Sequence, residues 1–234
     1  SPAVTSKRHR RSVFKFVTTF AAMEDGQSVE DERITCKHDY WVPGDLRKRD
    51  VDAFHCNGTH GPLDLVGAIQ HSCNVYFWTL VERVGLDRVA EVANEYGFGT
   101  PTQLGLNGDA GGRVPTKAWY DQRGHYVAGF ATNAATGQGD VEVTVLQMAM
   151  AYTALANRGT LFLPQVVDRV EAADGRVIVA YQPTVARQVK TPPDALDVWR
   201  RGMWKAVNKL GGSGYPHATS TIVPTAGKTG TAEA

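Results

Sequence analysis

The chain has 234 residues, 42% hydrophobic and 21% charged, with 25 basic side chains against 24 acidic ones for a net charge of +1. That length supports one substantial core or two small ones, and the composition is that of a globular domain, which excludes intrinsic disorder. The near-zero charge excludes a global bias toward nucleic acid, and the one local excess, Lys7-Arg8-His9-Arg10-Arg11, reads as a solvated basic stretch.

Val13 to Asp25 carries apolar residues at Val13, Phe14, Val17, Phe20, Ala21 and Met23 with Gly26 beyond, which predicts a helix with Ser12 at its N-terminus. Residues 30–61 have no sustained period and read as an excursion of loops and short strands. Helical spacing returns from Leu63 to Val84, interrupted around Ser72 to Asn74, and a second helix follows at about 86–96. The Gly, Thr and Asn content of 98–140 predicts mostly loop. Thr144 to Asn157 reads as a buried helix with Thr144 near its start. Leu161 to Ala172 and Val177 to Tyr181, joined by Ala173-Asp174-Gly175, predict a hairpin. Leu196 to Leu210 is amphipathic, and Ser220 to Ala232 alternates as a strand would. No run of about 18 apolar residues is present, and residues 1–11 lack the apolar core of a secretion signal. The chain reads as a piece of a longer protein, with any membrane anchor outside it.

Three strings occur in an order that carries nucleophilic acyl transfer: Ser12-Val13-Phe14-Lys15, Ser72-Cys73-Asn74 and Lys228-Thr229-Gly230. A serine hydroxyl needs a base within reach. A spacing of three residues puts Ser12 and Lys15 on one helix face, and burial beside other cations lowers a lysine pKa enough to free its lone pair. The helix N-terminus offers the Ser12 N–H to a developing oxyanion. Ser72 offers a hydroxyl to relay a proton and Asn74 an amide to hold a peptide. Lys228, with the hydroxyls of Thr229 and Thr231, makes a carboxylate-binding edge, and Gly230 lets backbone approach the ligand.

At these residues the chain resembles the transpeptidase domain of class B penicillin-binding proteins, in particular elongation-type penicillin-binding protein 2. Ala21-Ala22-Met23-Glu24-Asp25-Gly26, His60-Gly61, Val75-Tyr76-Phe77, Gly137-Gln138-Gly139, Thr144-Val145-Leu146-Gln147 and Gly227-Lys228-Thr229-Gly230-Thr231-Ala232 carry the resemblance further. It implies an α+β fold of the penicilloyl-serine transferase type over 12–234, with 1–11 as a linker or unmatched segment. It also implies cross-linking of D-Ala-D-Ala peptidoglycan stem peptides through an acyl-enzyme on Ser12, which β-lactams would acylate. On that basis Lys15 is the acylation base, Ser72 the relay, Asn74 the orienting amide, and Lys228, Thr229 and Thr231 the clamp, with the Thr231 N–H as second oxyanion donor. Partners implied are a shape-elongation glycosyltransferase and other elongation proteins at the periplasmic face of the bacterial inner membrane, with no nucleic acid.

The chain departs from the family pattern in carrying His9-Arg10-Arg11 where the family has Pro-Pro-Gly or Ala-Pro-Gly. The resemblance also implies central-sheet strands before the nucleophile helix and after Lys-Thr-Gly that this chain lacks, so the isolated chain is expected to be catalytically weak or unfolded. A serine β-lactamase or β-lactam sensor is the first rival, disfavoured because no deacylating-Glu motif lies between Ser72 and Lys228. A truncated, non-catalytic product is the second.

Catalysis of this kind uses no cofactor. The cysteines Cys36, Cys56 and Cys73 are odd in number, which argues against a closed disulfide framework. With His60 they give C-x19-C-x3-H-x12-C, the donor set of a closed structural zinc site, against the alternative of three unrelated buried thiols. The resemblance favours zinc, since some elongation-type members hold it at matching positions. His38, His55, His71 and Asp45 compete for the fourth position, and His60 is preferred for its short spacing to Cys56.

Overall fold

The computed structural model describes residues 12–43 and 53–230; Asp45, Thr231 and the segment before Ser12 lie outside the described residues. A 3-10 turn, Ser12–Phe14, leads into helix α1 (Lys15–Glu24). This helix is apolar on nearly every side, and every residue from Lys15 to Ala22 is buried, as an all-round hydrophobic helix requires. Phe16 is its hub. Phe20, Tyr96, Tyr152 and Trp199 surround it edge-on, with ring centroids 5.8, 5.1, 5.5 and 6.1 Å away. Burying one such phenylalanine contributes roughly 1.5–3 kcal/mol.

Seven further helices follow among the described residues: α2 (Leu65–His71), α3 (Asn74–Val84), α4 (Leu86–Glu95), α5 (Lys117–Asp121), α6 (Ala128–Ala135), α7 (Val145–Ala156) and α8 (Pro193–Asn208). Helix α1 packs on α3, α4 and α8, while α2 lies against α8 and α3 against α6. Local chemistry sets several ends. Asp64 caps α2 by accepting the Gly67 N–H at 2.6 Å. Thr144 and Gln147 form a reciprocal capping box on α7 at 3.1 and 2.9 Å. The Gln147 amide also donates to the carbonyls of Thr100 and Gly111 at 2.8 and 2.7 Å, so the cap anchors the long preceding loop as well.

The described strands form four antiparallel pairs, each of two strands. In the excursion, β1 (Ile34–Cys36) pairs with β4 (Gly61–Leu63), and β2 (Asp39–Tyr40) with β3 (Phe54–His55). Further on, β5 (Thr160–Phe162) pairs with β8 (Val185–Gln188), and β6 (Arg169–Glu171) with β7 (Val177–Ala180) across the Asp174-Gly175 turn. The expected α+β class holds.

Three expectations about elements are corrected. The single strand over 161–172 is two, because Pro164 has no N–H for a ladder and the chain changes partner there. Residues 98–140 include α5 and α6; the alanines of Ala128–Ala135 outweigh its neighbouring Gly and Asn. The strand expected over 220–232 is irregular through 230, since no described strand lies alongside to pair with it. It is pinned instead by α8 and the turn after it. The Gly227 N–H donates to the Met203 carbonyl at 3.3 Å, the Asn208 amide to the Thr225 carbonyl at 2.7 Å, and the Thr229 hydroxyl to Ser213 Oγ at 2.8 Å.

The α2–α8 contact is closed at Gly202, where a Cβ would lie 2.5 Å from Ile69 Cβ, a backbone-fixed atom that cannot swing away. Gly202→Ala is therefore expected to destabilise the protein by about 1–3 kcal/mol through overpacking, despite alanine's better helix propensity. Urea denaturation of the two proteins checks this; equal or greater stability of the variant would overturn it.

Candidate active site

Lys15 is fully buried, so its amine must find every partner inside the protein. It finds them where the helical run breaks between α2 and α3. Ser72 ends α2 in the left-handed region, at φ 57° and ψ 36°, an uncommon conformation for a non-glycine residue. That twist turns both the carbonyl and the hydroxyl of Ser72 toward Lys15 Nζ, at 2.8 and 3.1 Å, and the first residue of α3 adds Asn74 Oδ1 at 2.7 Å. The face of Phe77, one helical turn on, lies 5.2 Å from the same nitrogen. From the opposite wall, Lys228 Nζ donates to Ser72 Oγ at 2.7 Å and to the Thr229 carbonyl at 3.1 Å.

Two amines thus meet at one serine hydroxyl. Burial pushes the Lys15 pKa well below its ordinary value, Lys228 pushes it further, and the sulfurs of Cys73 and Cys56 oppose both. Burial brings Lys228 down to about 7. A neutral Lys15 has two N–H donors, which the Ser72 carbonyl and Asn74 amide oxygen take, and a lone pair facing the Ser72 hydroxyl. The Lys15 amine, the Ser72 hydroxyl and the Lys228 amine thus form one continuous hydrogen-bonded chain.

Ser12 lines the same cleft of about 790 Å³, with Ser72, Asn74, Gln138 and Thr229. Two contacts fix its turn: the Tyr152 hydroxyl donates to the Val13 carbonyl at 2.9 Å, and Gly230 comes so near that a Cβ there would lie 3.1 Å from Val13 Cγ1. No side-chain hydrogen bond joins Ser12 to Lys15 among the described residues, because the lysine amine faces Ser72 and Asn74. Catalytic contacts of this kind commonly tighten only when substrate arrives. The structure thus brings together Ser12, Lys15, Ser72, Asn74, Lys228, Thr229 and Gly230, while Thr231 lies outside the described residues. The sequence reading missed Tyr152 and the aromatic pair Phe54 and Trp78, which lines the cleft with ring centroids 5.5 Å apart; a buried-helix tyrosine and an aromatic in a short strand leave no local mark of their role.

Cys36, Cys56, His60 and Cys73 converge behind the Ser72 turn, with all four ligand atoms within 4.8 Å of one another. Cys56 Sγ is 3.9 Å from Cys73 Sγ and 3.7 Å from His60 Nδ1. Zn–S bonds of about 2.3 Å in a tetrahedron separate sulfurs by about 3.8 Å, so the Cys56–Cys73 spacing is compatible with that ion. The Cys73 thiol and the backbone N–H groups of Val75 and Asn74 draw Cys56 down to about 4, while the shared proton and burial push Cys73 up. Of the competing histidines, His71 stacks on His60 with centroids 5.6 Å apart, and His38 and His55 turn to Asp39 instead. Among the described residues, no helix is long and apolar enough to cross a membrane.

All 234 residues match the family model of the penicillin binding protein transpeptidase domain, and the chain belongs to that family. Its fold is that of the family's solved domains. It is 32% identical over 198 residues to the peptidoglycan D,D-transpeptidase MrdA of Haemophilus influenzae, covering 83% of this chain and 30% of that protein. Among solved structures it superposes on Pseudomonas aeruginosa PBP2 in complex with WCK 5153 with a TM-score of 0.85 at 24% identity, covering 99% of this chain and 52% of that one. Helicobacter pylori PBP2, solved in complex with MreC, matches with a TM-score of 0.83 at 22% identity, covering 100% of this chain and 41% of that one. The chain thus spans about a third of the length of its curated relative.

The depressed Lys228 pKa has a stability consequence. Between about 7 and the ordinary 10.5, the unfolded chain holds a proton that native Lys228 has released, so this group makes stability rise with pH across that window. Lys228→Met is expected to show a shallower rise than the parent between pH 7 and 9. Parallel urea-derived stability curves for the two proteins would contradict the assignment.

Proposed function

We propose that this chain carries the acyl-transfer centre of a peptidoglycan D,D-transpeptidase of the elongation type. The observation that carries the proposal is the buried Lys15 amine, converged on by Ser72 and Asn74 with Lys228 opposite. In this reading the Ser12 hydroxyl attacks the carbonyl between the two terminal D-alanines of a stem peptide and gives its proton to Lys15. The terminal carboxylate lies against Lys228, Thr229 and Thr231. The oxyanion of the tetrahedral intermediate is held by the Ser12 and Thr231 N–H groups. Ser72 passes the proton to the departing D-alanine nitrogen, leaving the peptide as an ester on Ser12. An amine from a second stem peptide then attacks that ester and regenerates the hydroxyl. β-Lactams enter the first step and remain on Ser12.

The cysteine cluster is read as a structural zinc site with Cys36, Cys56, His60 and Cys73 as ligands. The ion would fix the Ser72-Cys73-Asn74 turn and take no part in proton transfer. Support comes from the sulfur spacing and from the Asn74 N–H, which donates to Cys56 Sγ at 3.2 Å and ties the cluster to the site. The full-length protein is read as acting at the periplasmic face of the inner membrane, anchored by sequence outside this chain. A glycosyltransferase of the shape-elongation family and a MreC-like protein are its proposed partners.

Ser12→Ala in the full-length protein is expected to abolish covalent labelling by a fluorescent penicillin, and Lys15→Met to slow it roughly 10²–10⁴-fold. Persistent labelling of the alanine variant would overturn the assignment, and rapid penicillin turnover by the parent would favour a β-lactamase. Metal analysis of protein purified at neutral pH without chelator is expected to find one zinc per chain; a ratio near zero would remove the zinc reading.

A further inference from the structure

A second group of metal-binding side chains lies on the outer face of the excursion, apart from the cysteines. In the β2–β3 pair Asp39 stands directly opposite His55, and His38 precedes Asp39. His38 has a φ of 79°, a left-handed conformation uncommon for a non-glycine residue. Its carbonyl still accepts the Cys56 N–H at 2.8 Å, so the twist is locked to the neighbouring strand. The ring is thereby turned over that of His55, with centroids 5.4 Å apart and planes at 29°. Both rings direct Nδ1 to the same Asp39 oxygen, at 2.6 and 2.9 Å, and the three donor atoms lie within 4.8 Å of one another.

The geometry points to a second metal site, formed by His38, Asp39 and His55, for a divalent transition cation of borderline softness such as Zn²⁺, Ni²⁺ or Co²⁺. Two imidazole nitrogens and one carboxylate oxygen suit such ions, and leave positions for water or for a group from substrate. Donors at adjacent corners of an octahedron, each about 2.0–2.2 Å from the ion, lie about 3 Å apart, close to the nitrogen–oxygen separations present here. With the proton on Nε2, each Nδ1 lone pair is free for the ion.

Strand alternation keeps this site distinct from the cysteine cluster. His55 and Cys56 are successive residues, so one faces outward to Asp39 and the other inward to Cys73. His55 also lines the active-site cleft beside Phe54. An ion here would cross-link β2 to β3 and stiffen that wall of the cleft.

The test uses untagged protein, loaded with one equivalent of zinc per chain to occupy the cysteine cluster and then titrated with Co²⁺, read by calorimetry and by NMR of the imidazole resonances. The expected result is a further Co²⁺ equivalent that shifts His38 and His55 but leaves His125 and His217 unmoved, without a thiolate-to-cobalt absorption band. His55→Ala and Asp39→Asn, both surface changes, are expected to weaken that equivalent at least about tenfold while leaving any thiolate-bound metal in place. Saturation without movement of the His38 and His55 resonances would overturn the proposal, as would unchanged Co²⁺ binding in both variants. The outcome is independent of whether the cysteines hold zinc, since an ion bound through nitrogen and oxygen is recognised by the missing thiolate band.

Discussion

A lysine amine with no access to water governs this structure. Burying Lys15 in a helix that has no exposed residue from Lys15 to Ala22 is tolerable only if other segments deliver acceptors to it, and a regular helix has none to spare. The break between α2 and α3 supplies them by exposing one carbonyl, one hydroxyl and one amide oxygen at adjacent positions. The left-handed Ser72 and the start of α3 at Asn74 are two aspects of the same solution. Lys228 then makes the arrangement electrostatically uneven, because two cations around one hydroxyl disfavour protonation of the more deeply buried one.

The Ser72 turn is held from behind as well as in front. Cys73, its middle residue, faces away from Lys15 into the sulfur cluster, and the Asn74 N–H ends on Cys56 Sγ. The positive end of α3 is thus directed at sulfur while its first side chain is directed at the amine. The excursion between the first two motifs is therefore a brace for the turn.

Much of this was legible in the sequence where the determinants are local. A serine three residues before a lysine, a break in helical spacing at 72–74, and Thr144 before an apolar run with Gln147 three residues on each mark their own position. The Asp174-Gly175 turn did so too. What was illegible depends on partners distant in sequence. The Lys228 run alternates like a strand, yet regular pairing needs a neighbour that no local pattern reports. Helix α6 was hidden by the Gly and Asn around its alanines. Tyr152 became an anchor for the Ser12 turn only because α7 crosses beside α1. The pairing of Asp39 with His55 rests on strand register, which spacing alone does not fix.

Helix α8 touches both walls of the cleft. Gly202 lets it press against Ile69 of α2, whose penultimate residue, Gln70, exchanges hydrogen bonds with the turn after α8 through Ser213 and Leu210. On its other flank, Met203 and Asn208 hold the run that leads to Lys228. The Ser72 side and the Lys228 side of the site are therefore mounted on a common rail. A slide of α8 along its axis would carry Ser72 and Lys228 together and preserve the gap between them, whereas a roll about that axis would drive them apart. The width of the cleft is thus insensitive to one mode of helix motion and sensitive to the other.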